Sequence, residues 1–435
     1  MSLSADRMAQ ESATWETYVE HAALSDIGLR RSNNQDSFTV VPAKSAQLWN
    51  ERGHLFMVAD GMGAHAAGEL ASKMACDAVP LTYQKVLDEP PPLAIRKAIE
   101  DANGRIHSRG QANLDFRGMG TTTSVLLLLP QGALAAHVGD SRVYRLRGNR
   151  IEQLSFDHSL VWEMMATGKL REEEVPGYIP KNIITRSLGP APHVEVDLEG
   201  PWPVAPGDTF LLCSDGLSGQ VADDEMGAIL TAFSPAEAVQ VLVDLANLRG
   251  GPDNITVIVA RVKTAPPPPT TNWPASGKTS RRPIHPLMWG GLGVLALATV
   301  LVGLARLPGV AAAMLLFTII TGVTMLVRAF GGQGGQLEGL RFGRGPYNPR
   351  AVVINNEFVD KLARFVAELR NAAVEAHYTV DWHHFNHLDA RALAAAERKD
   401  YLTAVREYGH ALSFMMSEIR GQRQKKGGTS SPGAA

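Results

Sequence analysis

The chain has 435 residues, of which 45% are hydrophobic and 20% charged, with a formal net charge of −2. That length predicts two or three globular units, and the near-neutral charge excludes the broad electrostatic attraction that nucleic-acid binding needs. Its two cysteines, Cys76 and Cys213, exclude a disulfide framework and a thiolate zinc site, and fit a reducing compartment.

Residues 1–20 read as an N-terminal tail with no apolar run behind a basic start, hence no secretory signal. From 21 to 263, short apolar runs alternate with helical patterns and Gly/Asp turns, the signature of one mixed α/β domain. Residues 264–286 include Pro266-Pro267-Pro268-Pro269 and cannot bury a core, so they form a semi-extended linker. Two uncharged apolar runs follow, Leu287 to Ala305 and Val310 to Val327, each about long enough to cross a bilayer as a helix. Pro308-Gly309 suits the turn between them. Lys278, Arg281 and Arg282 precede this hairpin and Arg328, Arg341 and Arg344 follow it, which places both of its ends in the cytoplasm and the chain in the cell membrane through 287–327. A Gly-rich linker (328–350) leads into a cytoplasmic helical region (351–423) and a disordered tail (424–435). In that region Phe358, Leu362, Phe365, Val366 and Leu369 recur at helical spacing, and a second pattern runs from Leu388 to about Ile419. Lys399 to Leu412 looks like half of a tetratricopeptide hairpin; one unit cannot bury its own face, so a small bundle or a partner-binding helix pair is expected instead. The run Trp382-His383-His384-Phe385-Asn386-His387 reads as a solvated helix start, with metal binding as the alternative.

Four aspartates share one setting. Leu55 to Ala59 is an apolar strand that ends in Asp60-Gly61; Ala133 to Val138 runs into Gly139-Asp140; Phe210 to Cys213 runs into Ser214-Asp215-Gly216; and Asp253-Asn254 opens the strand Ile255 to Val259. Any one of these is ordinary turn chemistry. If the four strand ends converge, however, the like charges cannot all stay ionised without cations. Oxygen ligands without Cys or paired His select Mg²⁺ or Mn²⁺ over zinc.

The order of motifs resembles the metal-dependent type 2C protein phosphatases. Gly28 to Ser37 is similar to that family's opening motif, and Asp60-Gly61-Met62-Gly63-Ala64-His65-Ala66-Ala67-Gly68-Glu69 to its second, in bacterial form. Gly118 to Thr123, Gly139-Asp140-Ser141-Arg142, Ser214-Asp215-Gly216 and Asp253-Asn254 follow in order, and the match covers about 20–263. The resemblance implies a four-layer α-β-β-α sandwich, within the α+β class, with metals at one edge of two packed antiparallel sheets. It implies that Asp60 bridges two ions, that the Gly61 carbonyl binds one, and that Asp215 and Asp253 complete the other site. Asp140, with Asp215, matches the position of a third, weaker ion, and Asp36 orients metal-held water. Arg31 matches the phosphate-clamping arginine, in preference to Arg30, and its planar fork suits two phosphate oxygens better than a lysine would. His65 is the candidate for protonating the leaving alkoxide, with a merely water-orienting histidine as the alternative.

The reaction so implied is direct hydrolysis of phosphoserine and phosphothreonine in proteins, with Mn²⁺ or Mg²⁺ supplying hydroxide near neutrality and no phosphoenzyme. Cysteine chemistry is excluded, because neither Cys76 nor Cys213 is followed by a phosphate loop ending in arginine. Two positions depart from the family pattern: Ala64 replaces a glycine, which costs about 1 kcal/mol if that position needs φ > 0, and Gln35 stands where many members carry glutamate. The segment between Asp157-His158-Ser159-Leu160 and the run Asn182 to Gly189, including Trp162, Met164, Met165 and Glu172-Glu173-Glu174, resembles the family's flap and is expected to edge the cleft and shape substrate choice. A membrane anchor would bring the enzyme to serine/threonine kinases. Competing readings are a silent phosphoprotein scaffold, against which all four aspartates stand, and a membrane sensor with the phosphatase as its output.

Overall fold

A computed structural model describes residues 17–64, 66–166, 183–264 and 349–428, with isolated positions between 295 and 343. Two antiparallel sheets form its centre. In the first, strands run in the order β1 (Val19–Asp26), β11 (Ile255–Val262), β10 (Thr209–Cys213), β7 (Arg142–Arg147), β8 (Arg150–Gln153) and β12 (Pro349–Ala351). In the second the order is β2 (Asp36–Val41), β3 (His54–Met62), β5 (Thr123–Leu129), β6 (Gly132–Val138) and β9 (Asp197–Trp202), with the short β4 (Gly120–Thr121) continuing against β3.

The strands with uninterrupted apolar runs are the ones enclosed on both faces. β5, β6 and β10 are buried at every position, as expected for strands covered on both sides. Between the sheets, Phe56, Val58, Leu126 and Leu128 meet Val143, Phe210, Leu212 and Ile258. Helix α2 (Ala67–Lys85) lies over β2 and β3, with α3 (Pro91–Ala112) beside it. On the far side, α6 (Asp223–Ala232) and α7 (Pro235–Leu248) cover the first sheet. The intervening helices are short: α1 (Ala46–Arg52), α4 (Leu160–Ala166) and α5 (Asp215–Ser218). The start of α7 is specified locally, because Ser234 accepts from the Glu237 amide, the Glu237 carboxylate accepts from the Ser234 amide, and Pro235 occupies the first turn. This is the α-β-β-α sandwich expected from the motifs.

The C-terminal region is helical and packs onto the catalytic unit. α8 (Asn356–Glu375), α9 (Trp382–Glu397) and α10 (Tyr401–Gly428) belong to the same compact unit as residues 1–270 and form a further layer over α6 and α7. Phe358, Leu362, Val366, Val405, Leu412 and Met415 join one continuous apolar cluster with Met226, Leu230, Leu242 and Leu245. β12 extends the first sheet by pairing with β8. The stretch read as one helical pattern from Leu388 to Ile419 is broken at Lys399, which takes a left-handed φ of 61°. Gly409 lets α10 approach closely, since a Cβ there would lie 2.4 Å from the Phe233 ring. With this layer in place α7 is buried almost all round, and Arg420 of α10 pairs with Asp244 on its polar stripe.

Residues 271–340 separate as a second unit. The runs at 287–327 lie almost wholly outside the described residues, and among the described residues no helix is long and apolar enough to cross a membrane.

Candidate active site

β-pairing alone sets Asp36, at the start of β2, opposite Asp60, near the end of β3. The Asp60 backbone is pinned from β4 and β5: its amide donates to Thr122 Oγ1 at 2.9 Å, and its carbonyl accepts from Thr121 Oγ1 and the Thr122 amide. Ser214, at the end of β10 in the other sheet, donates to Asp36 Oδ2 at 2.7 Å and so ties the two sheets together at this edge. Asp215 opens α5, Asp140 sits in the β6–β7 turn, and Asp253 precedes β11. The five expected carboxylates therefore gather at one edge of the sandwich, where Asp36, Asp60, Asp140 and Asp215 each sense the charge of neighbouring aspartates.

Burial is the largest cause of their shifted acidity, and mutual repulsion adds to it. Asp60 is raised well above the ordinary carboxylate range by burial and then by Asp36, Asp215, Asp140 and Asp253. Burial pushes Asp36 up to about 7 against hydrogen bonds from Ser214 and Thr256. Asp140 also reaches about 7, from burial and then Asp215, while Asp215 is raised by burial and then by Asp253. One oxygen each of Asp36, Asp140 and Asp215 is buried without a hydrogen-bond donor. Buried anionic oxygens that repel one another and lack donors fit hard divalent cations. Among the described residues no three His, Cys, Asp or Glu side chains are grouped so as to hold a metal ion by themselves; Mg²⁺-like ions usually keep several waters and take only one or two carboxylates.

Arg31 stands at the mouth of this cluster, half-exposed, with Nη2 donating to Asp253 Oδ2 at 2.6 Å. Its expected role and that of Asp253 were separate, and the structure pairs them. Gly61 meets the site through its backbone, its amide donating to the Gln35 carbonyl at 3.1 Å. Gln35 Nε2 donates to the Gly63 carbonyl, a structural role that needs no charge. The strain expected at Ala64 does not arise: Gly63 carries the positive φ, 142°, and Ala64 has none. His65 lies outside the described residues, as does most of the flap, 167–182. Trp162, Met164 and Met165 of the flap's first stem are partly buried.

Three supporting residues were present in the quoted motifs but were given no role. Ser214 holds Asp36, Asn254 holds the Arg31 loop through Ile27, Asn33 and Gln35, and Thr122 bonds Ser141 Oγ at 2.7 Å beside Asp140. The signal that could have found them is the buried polar side chain next to a ligand-type aspartate.

Paired antiparallel sheets whose edge collects buried carboxylates and an arginine define a metal-dependent phosphohydrolase class. The family model for protein phosphatase 2C matches residues 30–246. Protein phosphatase PhpP of Streptococcus pneumoniae is 37% identical over 243 residues, 55% of this chain and 96% of the relative. Serine/threonine phosphatase stp of Listeria welshimeri is 39% identical over 240 residues, 54% of this chain and 92% of the relative. The solved serine/threonine phosphatase of S. agalactiae superposes with a TM-score of 0.50 at 37% identity, over 57% of this chain and 100% of that one. The chain belongs to the protein phosphatase 2C family, and it is a serine/threonine protein phosphatase.

Proposed function

We propose that the chain hydrolyses phosphoserine and phosphothreonine in proteins in one direct displacement, with Asp60, the Gly61 carbonyl, Asp140, Asp215 and Asp253 holding Mn²⁺ or Mg²⁺. The observation that carries this is the set of buried, mutually repelling carboxylates with orphaned oxygens. Such ions, when bound, would acidify water and screen the phosphoryl charge, and Asp140 with Asp215 would hold a third and weaker one. Arg31 binds phosphoryl oxygens through its fork. Asp36, fixed by Ser214, orients the attacking water, and His65 protonates the leaving alkoxide.

Neither cysteine is suited to act as a covalent nucleophile. Cys76 and Cys213 are buried, and burial pushes both thiols up to about 12, so neither supplies thiolate near neutrality. In a single turnover with a ³²P-labelled phosphothreonine protein, all label is expected as free phosphate. Label trapped on the enzyme by acid quench would contradict direct displacement.

The uncharged runs at 287–327 and the flanking arginines support a membrane tether with the catalytic unit and C-terminal region in the cytoplasm, where membrane-bound serine/threonine kinases and their phosphorylated targets are the partners. Full-length protein is expected in the membrane fraction after carbonate washing, and a version lacking 287–327 in the supernatant. Equal partitioning of the two would remove the tether and the kinase reading with it.

A further inference from the structure

Loop 27–35, which carries Arg31, is braced almost residue by residue. Asp26 Oδ1 accepts from the Gly28 amide at 2.8 Å, the Leu29 and Arg30 amides donate to the Gly251 carbonyl, and Asn254 Nδ2 donates to the carbonyls of Ile27 and Asn33. Asp26 also accepts from Asn247 Nδ2 on α7 at 3.0 Å. Its second oxygen faces Arg420 of α10, with Nη1 3.7 Å from Oδ2, an ion pair without a hydrogen bond. The other arm of the same guanidinium donates to Asp244 Oδ1 at 2.5 Å, and that carboxylate has no exposed surface. The charge of Asp26 bears on Asp244, and Arg420 bridges the two carboxylates. The family match ends at residue 246, so Arg420 lies outside it.

We propose that Arg420 is a positioning residue for substrate-phosphate binding: by bridging Asp26 and Asp244 it holds loop 27–35, and with it Arg31, at the cleft. The C-terminal layer is then a working part of the phosphatase site. This rests on Arg31 being the phosphate-binding arginine.

The test uses the full chain with Mn²⁺ and a phosphothreonine peptide. Arg420→Met is expected to raise KM about three- to ten-fold, with kcat changed by less than about two-fold, and to add nothing further in an Arg31→Ala background. Arg420→Lys restores part of the loss. Arg391→Met removes another ion pair of this layer, Arg391 to Glu407 at 2.5 Å, and is expected to leave KM unchanged. Hydrogen exchange at the Leu29 and Arg30 amides should rise in Arg420→Met. That readout needs no turnover, so an inactive parent protein would count against the phosphatase reading and leave this one decided by exchange. Should Arg420→Met fail to fold, Asp26→Asn removes the same pair without touching α10, with the same KM rise expected. Multiplicative effects with Arg31→Ala, an equal KM rise in Arg391→Met, or unchanged exchange at Leu29 and Arg30 would overturn the proposal.

Discussion

Asp60 is the residue on which the other site aspartates converge, and its neighbours raise its proton affinity in concert. Folding without cations therefore works against its charge. Asp60→Asn is expected to make the metal-free protein more stable by about 1 kcal/mol, or about 2–4 °C in Tm. The same variant should lose the rise in Tm that Mn²⁺ gives the parent. Differential scanning calorimetry with and without chelator reads both, and a less stable metal-free variant would contradict the repulsion. Gly28 sets a different constraint. It holds φ of 79°, and a Cβ there would lie 2.1 Å from the Asp253 carbonyl oxygen. Gly28→Ala is expected to displace loop 27–35 and to lower kcat/KM at least about ten-fold, since both the left-handed strain and the contact are adverse. Asp60, Asp140 and Asp215 were legible in the sequence because an apolar strand runs into a turn at each, and Asp253 because it opens one. Ser214 and Asn254 were not legible as supports, since their partners Asp36 and Gln35 lie 178 and 219 residues away along the chain.

At the scale of elements, α6 and α7 are where the two halves of the chain meet. Glu225 on α6 is almost fully buried and bonds Arg249, Lys361 of α8, and the Ala222 amide. Burial alone would raise its pKa, but the hydrogen bonds from Arg249 and Lys361 outweigh burial and bring it to about 2. A depressed carboxylate stabilises the fold fully above its unfolded pKa of about 4.5, and that contribution is lost as pH falls toward 2. Glu225→Gln is expected to cost about 3 kcal/mol near neutrality and to flatten stability between pH 5 and pH 3, within the range for breaking a buried pair. Urea unfolding at several pH values measures this; an unchanged acid slope would remove Glu225 as its source. The helical periodicity of 356–419 was readable, but an amphipathic stripe does not say what it packs against. α7 itself carries Glu237, Gln240, Asp244 and Asn247 at helical spacing, so its sequence reads as an ordinary amphipathic helix and does not announce the layer that covers it.

At the scale of the whole molecule, the phosphatase fold was legible through an ordered set of motifs, while the C-terminal layer was not, because nothing in the matched family region calls for it. Residues 1–264 alone would expose the outer sides of α6 and α7 and leave Asp244 without Arg420. That fragment is expected to bind an apolar dye and to unfold at lower temperature than the full chain, whereas a fragment as stable as the full chain would make the layer an ornament. Catalysis is therefore best measured on the full chain. The decisive assay is phosphate release from a phosphothreonine peptide with and without Mn²⁺, beside Asp60→Asn and Asp215→Ala. Turnover is expected only with Mn²⁺ or Mg²⁺ and in neither variant; turnover that survives chelation, or persists in both variants, would contradict a metal-dependent phosphatase.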